Sequence, residues 1–140
     1  MVKVIRNILA ILAGVVLGSV ANMAILTFAP ALIPPPAGAD MSTPEGLAAT
    51  IALFEPRHFV TPFLAHALGT LVGALVAYLV AVSHKARFAY AIGVLFLIGG
   101  IAACFMIPAP AWFMVLDLLV AYLPMAWLAI WIGRRLGSRA

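Results

Sequence analysis

Three strongly polar side chains, Asn22, His66 and Asp117, lie well inside apolar stretches of the sequence. A carboxylate and an imidazole can share a hydrogen bond or exchange a proton, and an amide can bind either group. A charged Asp facing lipid costs about 2.5–3.5 kcal/mol on insertion scales, so we expect Asp117 to face the protein interior and to pair with His66. These residue types predict a ligand-binding or proton-handling site. The alternative is a buried network that only fixes helix register.

Two neighbouring residues add to this prediction. Thr70 lies one helical turn after His66, and we include it in the predicted site. Pro124 follows Asp117 by seven residues. Because a proline has no N–H group, it leaves the carbonyl of Val120 without a helical partner and is expected to kink the chain toward the site.

The densest polar cluster of the chain consists of Glu55, Arg57 and His58. It combines an acid, a permanent cation and a titratable base. His58 precedes His66 by eight residues, so on one helix the two imidazoles would point along nearly the same face. We therefore predict that this cluster forms the mouth of a path toward Asp117. The alternative is a solvated cluster that caps the following helix.

Four long apolar runs carry these residues, at positions 8–28, 59–82, 88–107 and 112–133. Each is close to the ~20 residues that an α-helix needs to cross a bilayer. The 140-residue chain is 66% hydrophobic and 9% charged, with a mean hydropathy of +1.22, far outside the soluble range. The sequence predicts an all-α integral membrane protein, a single four-helix transmembrane bundle of residues 1–140.

The Lys and Arg residues are distributed unevenly around these runs. Seven of the eight lie before the first run, between the second and third, or after the fourth: Lys3, Arg6, Lys85, Arg87, Arg134, Arg135 and Arg139. By the positive-inside rule, both termini are cytoplasmic and the first and third connections face outside. Asn22, His66 and Asp117 would then lie at a common depth, roughly 8–10 Å below the outer boundary. We expect a multi-pass protein of the bacterial inner membrane.

The first run can also be interpreted as a signal peptide, because Lys3 and Arg6 form a basic segment ahead of it. Signal peptides usually have an apolar region of about 7–15 residues, and this run continues to Phe28. Its length favours a helix that is not cleaved.

The first outside connection, residues 29–58, is long, and loops of this length are often functional lids. Ser42, with Glu45 three residues later, predicts the start of a short amphipathic helix over about 43–54, with Ser42 as its N-cap. This helix is too short to span a bilayer. It would lie on the membrane surface or plug into the bundle.

Small residues predict where helices touch. Gly14 and Gly18 in the first run, and Gly69 and Gly73 in the second, have the GxxxG spacing that allows close helix packing in lipid. The contact can lie within one chain, or it can join copies of the chain or a larger membrane complex. The basic residues flank the spans, as orientation signals in contact with the lipid bilayer do, so we expect no nucleic-acid partner.

No motif indicates a catalytic residue, a cofactor or a metal. The single cysteine, Cys104, excludes an internal disulfide, and no HxxxH, CxxC or MxxM pair fixes a metal geometry. The sequence also lacks a Walker A, GxSxG or HExxH motif. The favoured function is a transporter, channel or ligand-binding membrane protein. The alternatives are a non-catalytic accessory subunit and, third, a membrane-embedded enzyme or metal-handling protein.

Overall fold

The computed structural model describes residues 2–137, so Arg139 of the predicted basic flank lies outside the described residues. It contains six α-helices: α1 (Val2–Phe28), α2 (Pro44–Ile51), α3 (Val60–Val80), α4 (Lys85–Met106), α5 (Ala111–Val120) and α6 (Leu123–Gly137). One-turn 3-10 helices occupy Ala29–Ala31 and Pro56–Phe59. Residues 2–137 contain no strand, and the prediction of an all-α four-helix bundle with a short loop helix is confirmed.

Four helical segments are long and apolar enough to cross a membrane, as in a small multi-pass membrane protein. They are Val2–Ala31, Pro56–Val80, Lys85–Met106 and Ala111–Gly137. The first and last helices continue beyond the apolar runs into the basic flanks. Lys and Arg are good helix formers, and their long side chains can reach the headgroup layer while the backbone stays helical.

Helix α3 is the centre of the bundle and contacts α1, α4 and α6. Helix α1 runs antiparallel to it, so that the two glycine stripes meet. A Cβ atom at Gly14 would lie 2.7 Å from the carbonyl oxygen of Gly73, and one at Gly18 would lie 2.8 Å from that of Gly69. The stripes therefore pack against each other within one chain and are buried. Association with another copy or a larger complex stays a prediction, and it would use other residues.

The two ends of the bundle differ in their residues. We call the end that carries the described Lys and Arg flanks the basic end, and the end with residues 29–58 and the 107–110 turn the loop end. The core of the basic half is built mainly from alanines: Ala74, Ala77, Ala89, Ile92, Ala126, Ala129 and Ile130. Asn7 fastens α1 there, because its amide donates to Ser83 Oγ (2.8 Å) and accepts from the Val82 N–H (3.1 Å).

The fourth span is interrupted by a turn at residues 121–122, between α5 and α6. Pro124 stands in the first turn of α6, where its missing N–H group leaves no helical hydrogen bond unmade. The predicted kink is thus a break in the helix. It lies one turn after Asp117.

The short loop helix differs from its prediction at both ends. Its N-cap is Thr43, whose hydroxyl accepts the Gly46 N–H at 3.0 Å. Ser42 is not the N-cap, because its hydroxyl and N–H both donate to the Asp40 carboxylate. The helix ends at Ile51 rather than near residue 54. After Ile51 the chain turns, and the N–H groups of Leu53 and Phe54 donate to carbonyls of the preceding turn.

Candidate functional site

Asp117 joins two aromatic side chains in a buried hydrogen-bond network. Its carboxylate oxygens lie 3.0 and 2.9 Å from His66 Nδ1, and the Tyr122 hydroxyl donates to Oδ2 at 2.9 Å. The His66 and Tyr122 rings stack with centroids 5.9 Å apart. Asp117 and Tyr122 are only 4% and 2% exposed, so the two donors compensate the cost of burying the carboxylate.

The helix break allows Tyr122 to reach Asp117. Side chains five residues apart on a continuous helix point roughly 140° away from each other, which would separate these two groups. The turn at 121–122 removes that constraint. Gly100 on α4 completes the arrangement, because a Cβ atom there would clash with the Tyr122 hydroxyl and lie 2.6 Å from ring atom Cζ.

Sequence reasoning did not identify Tyr122 as a site residue. A tyrosine is less polar than Asn22, His66 and Asp117, the side chains from which the site was predicted. The available signal was a phenol in mid-span two residues before Pro124, since a hydroxyl in lipid also requires a partner.

Asp117 engages one nitrogen of His66 and leaves the other unpaired. Nδ1 faces the carboxylate, whereas Nε2 makes no hydrogen bond within residues 2–137. The His66 side chain is 28% exposed. A carboxylate at Nδ1 fixes the orientation of the ring, and the second nitrogen can then donate or accept a hydrogen bond.

The other predicted members lie near this pair without joining it. The Thr70 hydroxyl donates to the backbone carbonyl of His66 at 2.8 Å, so it is satisfied within α3. Asn22 packs against Gly69, and its amide makes no hydrogen bond to the described residues. The structure therefore joins His66 to Asp117 directly and leaves Asn22 and Thr70 as neighbours.

A cavity of about 380 Å³ opens beside this network at the loop end. Its wall is largely apolar and comes from the end of α1, residues 29–58, and the loop-end parts of α3, α4 and α5. The polar or titratable side chains in the wall are His58, Thr61, His66, Cys104 and Asp117. Within the described part of the chain, no Lys or Arg lines it.

The predicted mouth cluster divides between the surface and this cavity. Glu55 and Arg57 form an exposed ion pair, with Oε2 and Nε 2.9 Å apart, and neither lines the cavity. His58 is buried in the cavity wall, and its Nδ1 accepts the Glu55 N–H at 2.9 Å. His58 thus caps the start of the second span, as in the alternative interpretation of the cluster, but it is buried rather than solvated.

Residues 40–59 cover the cavity on the loop side. Ile51 packs with Phe59 and Phe113 in a buried cluster, and the partly buried Leu47 and Phe54 pack against it. The Thr50 hydroxyl holds the segment by accepting the Asp40 N–H at 2.9 Å and donating to its carbonyl at 3.1 Å. Ser42 donates two hydrogen bonds to the Asp40 carboxylate, and these lower the pKa of Asp40 below its usual 3.8. The hydroxyl makes the larger contribution and the backbone N–H the smaller one.

A second cavity, of about 200 Å³, lies between α1 and α4. Ser19 and Asn22 line it from α1, and Phe96 and Gly99 line it from α4. It shares His66, Gly100 and Ala103 with the larger cavity, so both spaces adjoin the imidazole.

The donor groups do not suggest a metal centre: across residues 2–137, no three His, Cys, Asp or Glu side chains are grouped closely enough to hold an ion. Comparison with protein-family models, curated proteins and solved structures finds no match for this chain.

Proposed function

We propose that this small membrane protein binds a small, neutral, mostly apolar molecule in the loop-end cavity, as a transporter or ligand-binding protein. The observation that carries the proposal is the imidazole of His66, which Asp117 orients from one side while its Nε2 is unpaired beside an apolar space of about 380 Å³. Apolar cavities with a few oriented polar groups are typical of small-molecule sites.

The charges around the cavity favour a neutral ligand. An anion would find no Lys or Arg among the described residues of the wall. A cation would have to compete for the Asp117 oxygens with the hydrogen bonds from His66 and Tyr122. A hydroxyl or carbonyl group can instead bind His66 Nε2 while the rest of the molecule contacts apolar side chains.

The proposal includes an orientation. The described basic residues at one end of the bundle support a cytoplasmic location for that end, with both termini inside, and an outward-facing loop end. Ligand and protons would then reach the site from the outer half of the bilayer. The expected location is the bacterial inner membrane.

The single cysteine provides a direct test, because Cys104 lines the same cavity. We would measure alkylation of Cys104 by N-ethylmaleimide in nanodiscs, with and without 2-naphthol, a neutral probe with one hydroxyl group. Protection by 2-naphthol is expected, with weaker protection by naphthalene, which lacks the hydroxyl, and by anionic 2-naphthoate.

Asp117→Asn is the informative variant because it preserves the shape of the side chain. Without the charge that orients His66, the 2-naphthol concentration for half protection should rise roughly three- to tenfold, as expected for one weakened hydrogen bond. Asp117→Leu, which leaves His66 Nδ1 and the Tyr122 hydroxyl unpaired, should also lower the unfolding temperature. If both variants lose stability while protection per folded molecule is unchanged, the network is structural and the accessory-subunit interpretation is better.

A further inference from the structure

The second cavity opens on the side of the bundle, in the seam between α1 and α4. Helix α1 packs mainly on α3 through the glycine stripes and touches α4 much less. At Gly99 on α4, an added Cβ atom would have no heavy atom within 4 Å, so the seam is not closed there.

The depth of this opening places it in hydrocarbon. Ser19 and Asn22, which line it, lie in the last three turns of α1, roughly 9–14 Å before the helix ends at 1.5 Å per residue. Their surroundings in a bilayer would be acyl chains rather than water. Hydroxyl and amide groups that face such an opening can hydrogen-bond a passing polar group.

At the loop end, packed side chains cover part of the same site. Helix α2 lies over the loop end, with Ile51 packed on Phe59 and Phe113, and each of the three is less than 9% exposed. At Gly99 the side opening has no such cover, and His66 and Ala103 line both this opening and the larger cavity.

We propose that the ligand is a lipophile dissolved in the membrane and that it enters sideways between α1 and α4. Its hydroxyl or carbonyl group would pass Asn22 and reach His66 Nε2, while its apolar part occupies the larger cavity. This inference rests on the proposed function and adds the source and class of the ligand: a neutral molecule taken from the bilayer.

The test closes the seam with one large side chain. In proteoliposomes, we would compare Gly99→Trp with Ile98→Trp, a matched control at the next position, which is 58% exposed on the lipid-facing surface. The readout is the alkylation rate of Cys104 by N-(1-pyrenyl)maleimide, which partitions into lipid, and by the water-soluble reagent 2-sulfonatoethyl methanethiosulfonate.

We expect Gly99→Trp to slow the lipophilic reagent by about tenfold or more, because the indole adds a steric barrier to entry. Ile98→Trp should leave the rate unchanged, and the water-soluble reagent should be slow throughout. Gly99→Leu, a smaller obstruction, should give an intermediate rate if Gly99→Trp fails to fold. An unchanged lipophilic rate in folded Gly99→Trp or Gly99→Leu would overturn sideways entry.

The time at which protection of Cys104 begins distinguishes a failure of this inference from a failure of the proposed function. If both hold, 2-naphthol protects Cys104 in the wild type, and Gly99→Trp delays that protection without changing its final extent. Protection with the same onset in both proteins would overturn the route and keep the site. Absence of protection in the wild type would overturn the site and, with it, the ligand that the route serves.

Discussion

The basic half and the loop half of the bundle contain the same four spans, but they pack in different ways. In the basic half, the helices meet through alanines and glycines, and Gly14 and Gly73 bring two backbones into direct contact. In the loop half, the contacts are made by aromatic side chains such as Phe59 and Phe113, and the fourth span is broken. The two cavities and the buried carboxylate lie in this second half.

The close-packed helix contacts and the cavities thus lie in different halves of the bundle. Lipid chains are as apolar as the side chains they replace, so no hydrophobic force closes a gap between helices. Close packing of small residues holds the basic half together. Where larger residues and the break at 121–122 keep the helices apart, a gap can persist and polar groups can line it.

The largest effect on stability is expected from adding a side-chain atom to the close-packed basic half. A Cβ atom at Gly73 would lie 2.6 Å from the carbonyl oxygen of Gly14, so Gly73→Ala must push α1 away from α3. We expect a loss of about 1–3 kcal/mol in the free energy of unfolding, the usual cost of overpacking. Thermal and denaturant unfolding in mild detergent would measure it.

Gly99→Ala is the matched control in the loop half, because it adds the same methyl group into open space. It should leave stability unchanged or raise it by up to about 1 kcal/mol through better helix propensity. Equal losses at Gly73 and Gly99 would contradict the division of the bundle into a close-packed and an open half.

The sequence was sufficient to predict the bundle because each span is independently marked by length and hydropathy. The partnership of His66 and Asp117 could also be anticipated from the sequence, since an unpaired charge in lipid is costly and few side chains could compensate it. Both inferences depend on local residue types and on depth along a helix. They do not require knowledge of how the helices are rotated.

The features that could not be predicted depend on how each helix is rotated about its axis and on which neighbouring groups compete for a hydrogen bond. Tyr122 reaches Asp117 only because the helix breaks between them, and a proline reveals a break without giving the new direction of the chain. Asn22 lines the second cavity together with His66 but bonds to neither predicted partner, because position along a helix does not fix the face on which a side chain lies. The N-cap was misassigned by one residue because Asp40 competes for the hydroxyl of Ser42.

An effect of intermediate size is expected on ligand binding when the pH on the loop side of the membrane is changed. Imidazole is the side chain that ordinarily changes charge between pH 5 and 8. His66 lies beside Asp117 and Tyr122, and His58 and Cys104 line the same cavity. In proteoliposomes of defined orientation, protection of Cys104 by 2-naphthol should change when only the pH on the loop side is varied.

His66→Gln should flatten this dependence, whereas His84→Gln, in the turn at the basic end, should preserve it. Because maleimide chemistry itself varies with pH, the quantity compared is the ratio of rates with and without the probe. A response that follows pH on the basic side would contradict access to the site from the loop end. A response that survives His66→Gln would remove the imidazole from the site.

The smallest effect should be an acid-dependent loosening of the cover over the cavity. The hydrogen bonds from Ser42 lower the pKa of Asp40, so the folded segment favours the ionised carboxylate. Their contribution to stability is therefore present above the usual value of 3.8 and is lost as pH falls through the lowered folded value.

Hydrogen exchange of the α2 amides, corrected for intrinsic rates, should show slightly less protection at pH 3 than at pH 5. Asp40→Asn should remove this difference, and Glu45→Gln, in the first turn of α2, should retain it. If Glu45→Gln abolishes the difference and Asp40→Asn does not, the acid response belongs to the helix N-terminus rather than to the Asp40 contact.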